Sequence, residues 1–144
     1  MKLYPFLLLA IMGTPISGCS KNTDCGCAPP LDKESSWKIT GRSGGFNGRT
    51  VVDLSMDQQN SILTLKPNSR FICTNTQTGM VVNGTVTASN FKSIYGDMQR
   101  FVFSPQLPML SDDFYILVGS TENTFTFGDN LADGYATTFS RVNP

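Results

Sequence analysis

Hydrophobic and polar residues alternate with a period close to two along most of the chain from Trp37 onward. In the segment from Ser61 to Lys66, for example, Leu63 and Leu65 share one face, and Thr64 and Lys66 lie on the other. Such alternation is typical of strands with one face in a core and the other in solvent. No window of eleven or more residues in this region keeps a helical pattern. The pattern therefore predicts an all-β domain over residues 35–144.

Turn signals separate the predicted strands at short intervals. Pro67-Asn68-Ser69 and Gln77-Thr78-Gly79 both combine residues that favour tight turns. Strands are predicted, among others, over 80–88 and over 91–95. Eight or nine short antiparallel strands predict a small up-and-down barrel, with a sandwich as the alternative. A closed barrel is favoured because closure removes exposed sheet edges.

The longest predicted loop covers residues 105–113 and is unusually apolar. Its hydrophobic side chains include Leu107, Met109 and Leu110. We expect this loop to lie at the mouth of the barrel, opposite Trp37, where it would border the entrance for a ligand or dock on a partner. Most of the nine phenylalanines beyond residue 18 fall on predicted inward faces. An eight-stranded barrel has room for its own side chains or for one small ligand.

The first 18 residues have the features of a secretory signal. Lys2 precedes an apolar run from Leu3 to Met12, which is too short to span a bilayer, since spanning takes about 20 residues. The segment Ile16-Ser17-Gly18-Cys19 resembles the bacterial lipobox. The resemblance implies cleavage before Cys19, lipidation of Cys19 and anchoring in a membrane. Ser20 follows the cysteine, which under the usual bacterial sorting rule favours the outer membrane of the cell envelope.

Residues 19–34 are predicted to be a lipid-anchored flexible tether without periodicity. The tether contains Cys25 and Cys27, whose spacing makes a mutual disulfide strained. Pairing with each other, with Cys73 or with another chain stays open. The alternating pattern around Cys73 predicts a small core residue rather than a reactive thiol.

Composition removes several function classes. Eleven basic residues balance eleven acidic ones, so the chain has no net charge to attract nucleic acid. Histidine is absent, and with it the commonest general base and metal ligand. No serine, cysteine or aspartate has a recognisable activating partner. We therefore expect no enzyme, no cofactor and no metal site.

Two segments resemble a phosphate-binding loop and a calcium-binding loop, but neither has the residues that the motif requires. The glycine-rich segment 41–50 has Ser43 and Arg49 where a phosphate-binding loop has glycine and lysine, and no helix-containing βαβ unit follows. Residues 129–134 suggest a calcium loop, but Leu131 stands where an oxygen ligand belongs. A hairpin turn explains the second segment better.

Several short motifs resemble those of lipocalin-like lipoproteins of bacteria, over roughly residues 35–142. They are Ser35-Ser36-Trp37-Lys38-Ile39, Asn68-Ser69-Arg70-Phe71, Gly84-Thr85-Val86, and Asp133-Gly134-Tyr135 followed by Phe139 and Arg141. The resemblance implies a calycin-type barrel in which Arg141 packs across Trp37 and closes the floor. Ser35 stands where that group has glycine. A guanidinium stacked on indole stabilises the folded state by about 0.5–2 kcal/mol. We therefore interpret this pair as a structural feature of the fold and not as a functional site.

Two functions from different classes fit these observations. In the first, a lipid-anchored barrel binds a small apolar ligand. In the second, a non-catalytic barrel filled by its own side chains docks on a partner in the envelope. A continuous lumen of more than about 300 Å³ would favour the first, and a solidly packed interior would favour the second.

Overall fold

We describe the protein from a computed structural model, which covers residues 31–44, 50–93, 96–110, 112–129 and 134–142. The elements are β1 (Ser35–Gly44), β2 (Thr50–Val51), α1 (Met56–Asn60), β3 (Ser61–Lys66), β4 (Arg70–Asn75), β5 (Val81–Ser93), β6 (Gly96–Ser104), β7 (Tyr115–Ser120), β8 (Thr124–Gly128) and β9 (Ala136–Arg141). No helix in these ranges is long and apolar enough to cross a membrane.

The sheet closes into an antiparallel barrel of eight strands, as the sequence predicts. Strands β3 to β9 follow one another in sequence order, and β1 pairs with β3 on one side and with β9 on the other. The short β2 is an extra strand, paired with the end of β1 at Ser43 and Gly44. The predicted all-β barrel of eight or nine strands is therefore confirmed.

Buried and half-buried residues alternate strictly along β3, as expected for a strand with one face in the core. In β3, Ser61, Leu63 and Leu65 are buried, while the residues between them are half-buried. The turn into β4 uses Asn68 and Ser69, whose φ angles of 63° and 57° lie in the left-handed region. Asparagine tolerates that region better than most residues, which suits it to this tight connection.

Strand β5 differs from its prediction. The separate strands expected over 80–88 and 91–95 are one continuous strand, Val81–Ser93. It pairs with β4 from Val81 to Thr85 and with β6 from Thr85 to Ser93, without a register shift. One long strand therefore pairs with β4 along its first part and with β6 along the rest. Hydrophobic periodicity does not show which neighbour a strand pairs with.

Aromatic side chains occupy the interior in an unbroken series. Trp37 meets Phe125 with ring centroids 4.8 Å apart, and Phe125 meets Phe127 at the same distance. Phe127 in turn meets Tyr115 at 5.5 Å. The buried core residues are Trp37, Ile39, Leu63, Leu65, Phe71, Cys73, Val86, Phe101, Phe103, Leu107, Met109, Tyr115, Leu117, Phe125, Phe127 and Phe139.

Each end of the barrel has a distinct set of connections. Strand β1 starts at one end, which we call the floor, together with the 67–69 turn, the 121–123 turn and the end of β9. The opposite end, which we call the mouth, collects the end of β1, helix α1, the 76–80 turn, the 105–114 loop and the connection after β8. The chain that precedes β1 therefore enters at the floor, and the mouth is at the far end from it.

Candidate functional site at the barrel mouth

The mouth contains an open pocket of about 310 Å³. Its lining consists of the end of β1, helix α1 and the 105–114 loop: Arg42, Gln58, Gln106, Leu107, Pro108, Met109 and Leu110. The pocket thus combines one guanidinium and two side-chain amides with the apolar residues of the loop, and more of its exposed lining is polar than apolar. A cleft with several convergent polar groups is a candidate ligand site.

Helix α1 holds one side of the pocket in place through Gln58. The helix begins after Ser55, whose Oγ accepts a hydrogen bond from the Gln58 backbone N–H at 3.3 Å. The Gln58 Oε1 accepts from the Ser55 N–H at 3.0 Å, which completes a capping box. The Gln58 Nε2 then donates to the Met109 carbonyl at 3.2 Å. A single buried side chain therefore starts the helix and fastens it to the 105–114 loop.

The apolar loop predicted from the sequence is folded inward. Leu107 is fully buried, Met109 is 5% exposed and Leu110 is half-buried against the core. The Cys73 Sγ lies 3.4 Å from the Met109 Sδ, which ties the loop to β4. In this conformation Leu107 and Met109 form the base of the mouth and offer no exposed surface to a partner.

Cys73 is a free, buried thiol. Burial raises its pKa to about 11, while a hydrogen bond with Ser61 acts in the opposite direction. A thiol with so high a pKa is almost entirely protonated at neutral pH and is a poor nucleophile. The position fits the predicted role of a small core residue.

Arg42 is the cation of the mouth, and sequence patterns gave no sign of its role. Its guanidinium lies 4.2 Å from the centroid of the Tyr135 ring. Its Nε is buried without a hydrogen-bond partner in the described structure. The ring of Tyr135 packs directly on Gly44, where any Cβ would collide with it. Gly44 therefore permits the ring to approach β1 and cover the arginine.

Several carboxylates lie at the same end of the barrel as Arg42, and Asp112 interacts with it. Burial raises the pKa of Asp112, the Asp129 carboxyl raises it further, and Arg42 lowers it. The Oδ1 of Asp129 is buried without a hydrogen-bond partner among the described residues. Asp113 instead accepts a hydrogen bond from the Gln106 Nε2 at 2.9 Å. The three carboxylates therefore form an acidic cluster centred on Asp112, which Arg42 partly neutralises.

Tyr115 connects the acidic groups to the core. Its hydroxyl oxygen accepts a hydrogen bond from the Asp112 backbone N–H at 3.2 Å, and its ring stacks on Phe127. Burial raises the pKa of the Tyr115 hydroxyl far above its usual value. The group is therefore neutral at physiological pH and serves as a hydrogen-bond partner.

The rim of the mouth is apolar and acidic over a larger area. Among the described residues, five exposed large hydrophobic side chains lie there: Val51, Met56, Met80, Val81 and Tyr135. A sixth, Val118, lies on the wall of β7. In the described chain this end also has five carboxylates and one guanidinium: Asp53, Asp57, Asp112, Asp113, Asp129 and Arg42. An exposed apolar surface bordered by charges of one sign is a common feature of docking surfaces.

The floor of the barrel is built around the buried Trp37. Trp37 and Arg141 are register partners on β1 and β9, so the two residues predicted to close the floor are neighbours. The indole Nε1 donates to the Ser35 Oγ at 2.9 Å, and the indole ring meets Phe125 edge to face. In the described structure, arginine lies over an aromatic ring at Arg42 and at Arg100. The stacking of Arg141 on Trp37 stays a prediction.

Several predicted features lie outside the described residues. They are the signal segment 1–18, most of the 19–34 tether, the lipidated Cys19, and Cys25 and Cys27. The sequence contains only a weak indication of the role of Gln58 at the mouth. The Ser55-x-x-Gln58 spacing is a capping-box pattern, but one turn of helix is too short for periodicity to show.

The described residues contain no group of three or more cysteine, aspartate or glutamate side chains that could hold a metal ion. The groups at the mouth can contact and hydrogen-bond a ligand or a partner. The free thiol described near the mouth, Cys73, is buried and protonated. A comparison with family models, with curated proteins and with solved structures found no match to this chain.

Proposed function

We propose that this protein is a lipid-anchored lipoprotein of the cell envelope that acts without catalysis, by docking on an envelope partner through the mouth of a filled barrel. The observation that supports this proposal most is the series of buried aromatic rings that runs from Trp37 at the floor to Tyr115 near the mouth. Side chains occupy the space that a carrier of apolar molecules would keep open.

The direction of the chain supports the same proposal. Strand β1 begins at the floor, so a lipid at Cys19 would join the barrel at the end opposite the mouth and leave the mouth free to dock. The exposed apolar rim and the acidic groups lie at the mouth. A partner that presents an apolar surface bordered by lysine or arginine would match both features.

Photo-crosslinking in living cells tests the docking surface. A photoreactive amino acid at Met56, on the rim, is expected to capture a partner in high yield. The matched control is Val118, which is about as exposed, at 52% against 60%, but lies on the barrel wall. Equal capture at both positions, or none at Met56, would contradict the proposal.

Anchoring has a separate test. Cys19→Ala is expected to abolish acylation and to release the protein from the membrane fraction. Metabolic labelling with a fatty acid and membrane fractionation measure the two effects. Unchanged membrane association of the variant would refute the proposed anchor.

A second candidate function is the binding of a small molecule in the mouth pocket, which has about the volume at which ligand pockets begin. Such a ligand would place an apolar part against Pro108 and Leu110 and a polar part toward Arg42 and Gln58. Native mass spectrometry of the mature protein, purified from its own envelope, is the direct test. A retained small molecule would favour this candidate, and unliganded protein that also ignores apolar probes would exclude it.

A further inference from the structure

The wall of the barrel contains an open strand edge. Strand β4 covers β5 only as far as Thr85, and the hydrogen bond from the Val86 N–H to the Ser69 carbonyl, 2.8 Å long, is the last contact on that side. From Thr87 to Ser93, β5 pairs with β6 alone. Its other side faces no described strand.

Residue parity shows which backbone groups are unpaired. In an antiparallel strand the N–H and C=O of one residue point to the same side, and successive residues alternate. Because the Val86 N–H points toward β4, the N–H and C=O groups of Ala88, Asn90 and Lys92 point to that side too. The register with β6 runs to Ser93 without a shift, so the alternation is preserved. The open edge thus presents three N–H and three C=O groups.

Most of the usual protections of a strand edge are absent here, with Lys92 as the exception. The segment has no proline and no bulge, and residues 87–90 are exposed. The single charged side chain on the open stretch is Lys92, which is the register partner of Asp97 on β6. An exposed, regular edge of this length is a template for another strand.

We propose that this edge pairs with the same edge of a second copy of the chain, in antiparallel register centred on Asn90. This register pairs Ala88 with the partner's Lys92 and Asn90 with the partner's Asn90, so every unpaired group on both edges gains a partner. No like charges lie directly opposite each other, and the two Asn90 amides can hydrogen-bond across the axis. A two-fold contact uses the same surface on both copies, as this one does.

The pairing directs the two barrels in opposite directions. A lipid at Cys19 is compatible with this arrangement because the residues between Cys19 and β1 span up to about 50 Å when extended. A nine-residue strand is about 30 Å long, so both anchors can reach one membrane. The contact is small, and we expect a dimer that dissociates readily.

Cysteine crosslinking of the purified mature chain in detergent tests the contact. In a Cys25→Ser, Cys27→Ser background, Asn90→Cys is expected to form a disulfide-linked dimer under mild oxidation, since facing residues have Cα atoms about 5.5 Å apart. The matched control, Thr85→Cys, is also exposed but lies where β4 covers the strand. No dimer at position 90, or equal yields at both positions, would overturn the proposal.

Proline substitutions test whether the backbone edge makes the contact. Ala88→Pro removes one unpaired N–H and leaves the bonds with β6 intact, so the Asn90→Cys dimer yield is expected to fall at least about ten-fold. Ala88→Val keeps the N–H and should keep the dimer. Lys92→Pro repeats the test near the end of β5, and thermal unfolding confirms that each barrel is intact. A dimer that survives both prolines would overturn the proposal.

Discussion

Asp112 has the clearest electrostatic strain of the described residues. Burial and the Asp129 carboxyl favour its neutral form, so its pKa in the folded protein lies above that in the unfolded chain. Such a group costs nothing below its unfolded pKa of about 4, and it destabilises the fold increasingly as the pH rises through its folded pKa. We expect Asp112→Asn to raise the melting temperature at pH 7 and to leave it unchanged at pH 3.

Circular dichroism at the two pH values measures this effect. Asp113→Asn is the matched control, because Asp113 keeps a hydrogen bond with Gln106 and contributes least to raising the pKa of Asp112, so it should give a smaller gain. A gain of equal size at both pH values would show that the effect comes from packing and would contradict the electrostatic account.

Ser35 is the second residue whose role can be measured directly. Its Oγ accepts the only side-chain hydrogen bond of the buried Trp37 indole in the described structure. Ser35→Ala leaves that N–H without a partner, which costs about 1–3 kcal/mol. Denaturant unfolding measures the loss, and Ser36→Ala, on the half-buried face of the same strand, should cost less. Equal losses would contradict the assigned role.

At the scale of elements, helix α1 depends on one side chain for two purposes. Gln58→Glu keeps the capping oxygen but replaces the amide donor with a carboxylate, which faces the Met109 carbonyl. We expect a loss of about 1–3 kcal/mol in the free energy of unfolding. Asn60→Asp is the control, because the Asn60 amide is exposed and bonds within its own helix and with Gln77. A smaller loss at Gln58 than at Asn60 would contradict the account.

Elements with regular alternation were predictable from the sequence, and elements defined by their neighbours were not. Strands β3 and β4 follow the pattern of Leu63, Leu65, Phe71 and Cys73, because one face of each is buried. Strand β5 was divided in the prediction, since residues 87–90 are exposed on both faces and have no alternation to show. Their strand is maintained by pairing with β6, which is a tertiary effect.

The candidate site shows the same division. The apolar residues of the 105–113 loop are visible in the sequence, but their inward packing depends on Gln58 and Cys73, which are distant along the chain. Arg42 lies in the glycine-rich segment 41–50, which resembles a phosphate-binding loop without matching it and does not reveal the position of Arg42. Its place beside Tyr135 follows from barrel closure, which brings β1 against β9.

Across the whole molecule, the two ends of the barrel differ in what they contain. The floor has a buried tryptophan and the entry of the chain, and the mouth has the pocket, the acidic groups and the apolar rim. Between them the aromatic series occupies the interior. The central claim is that the barrel is a filled scaffold that acts at its mouth, and its contrary is a carrier with a ligand in the lumen.

Fluorescence of Trp37 tests this claim most directly. It is the only tryptophan of the chain and is 1% exposed at the floor, so its emission reports on the interior alone. The protein is titrated with a brominated fatty acid, since bromine quenches indole only at close range. A filled barrel predicts unchanged Trp37 emission up to saturating concentrations. Saturable quenching would place the fatty acid beside Trp37 and would contradict the account.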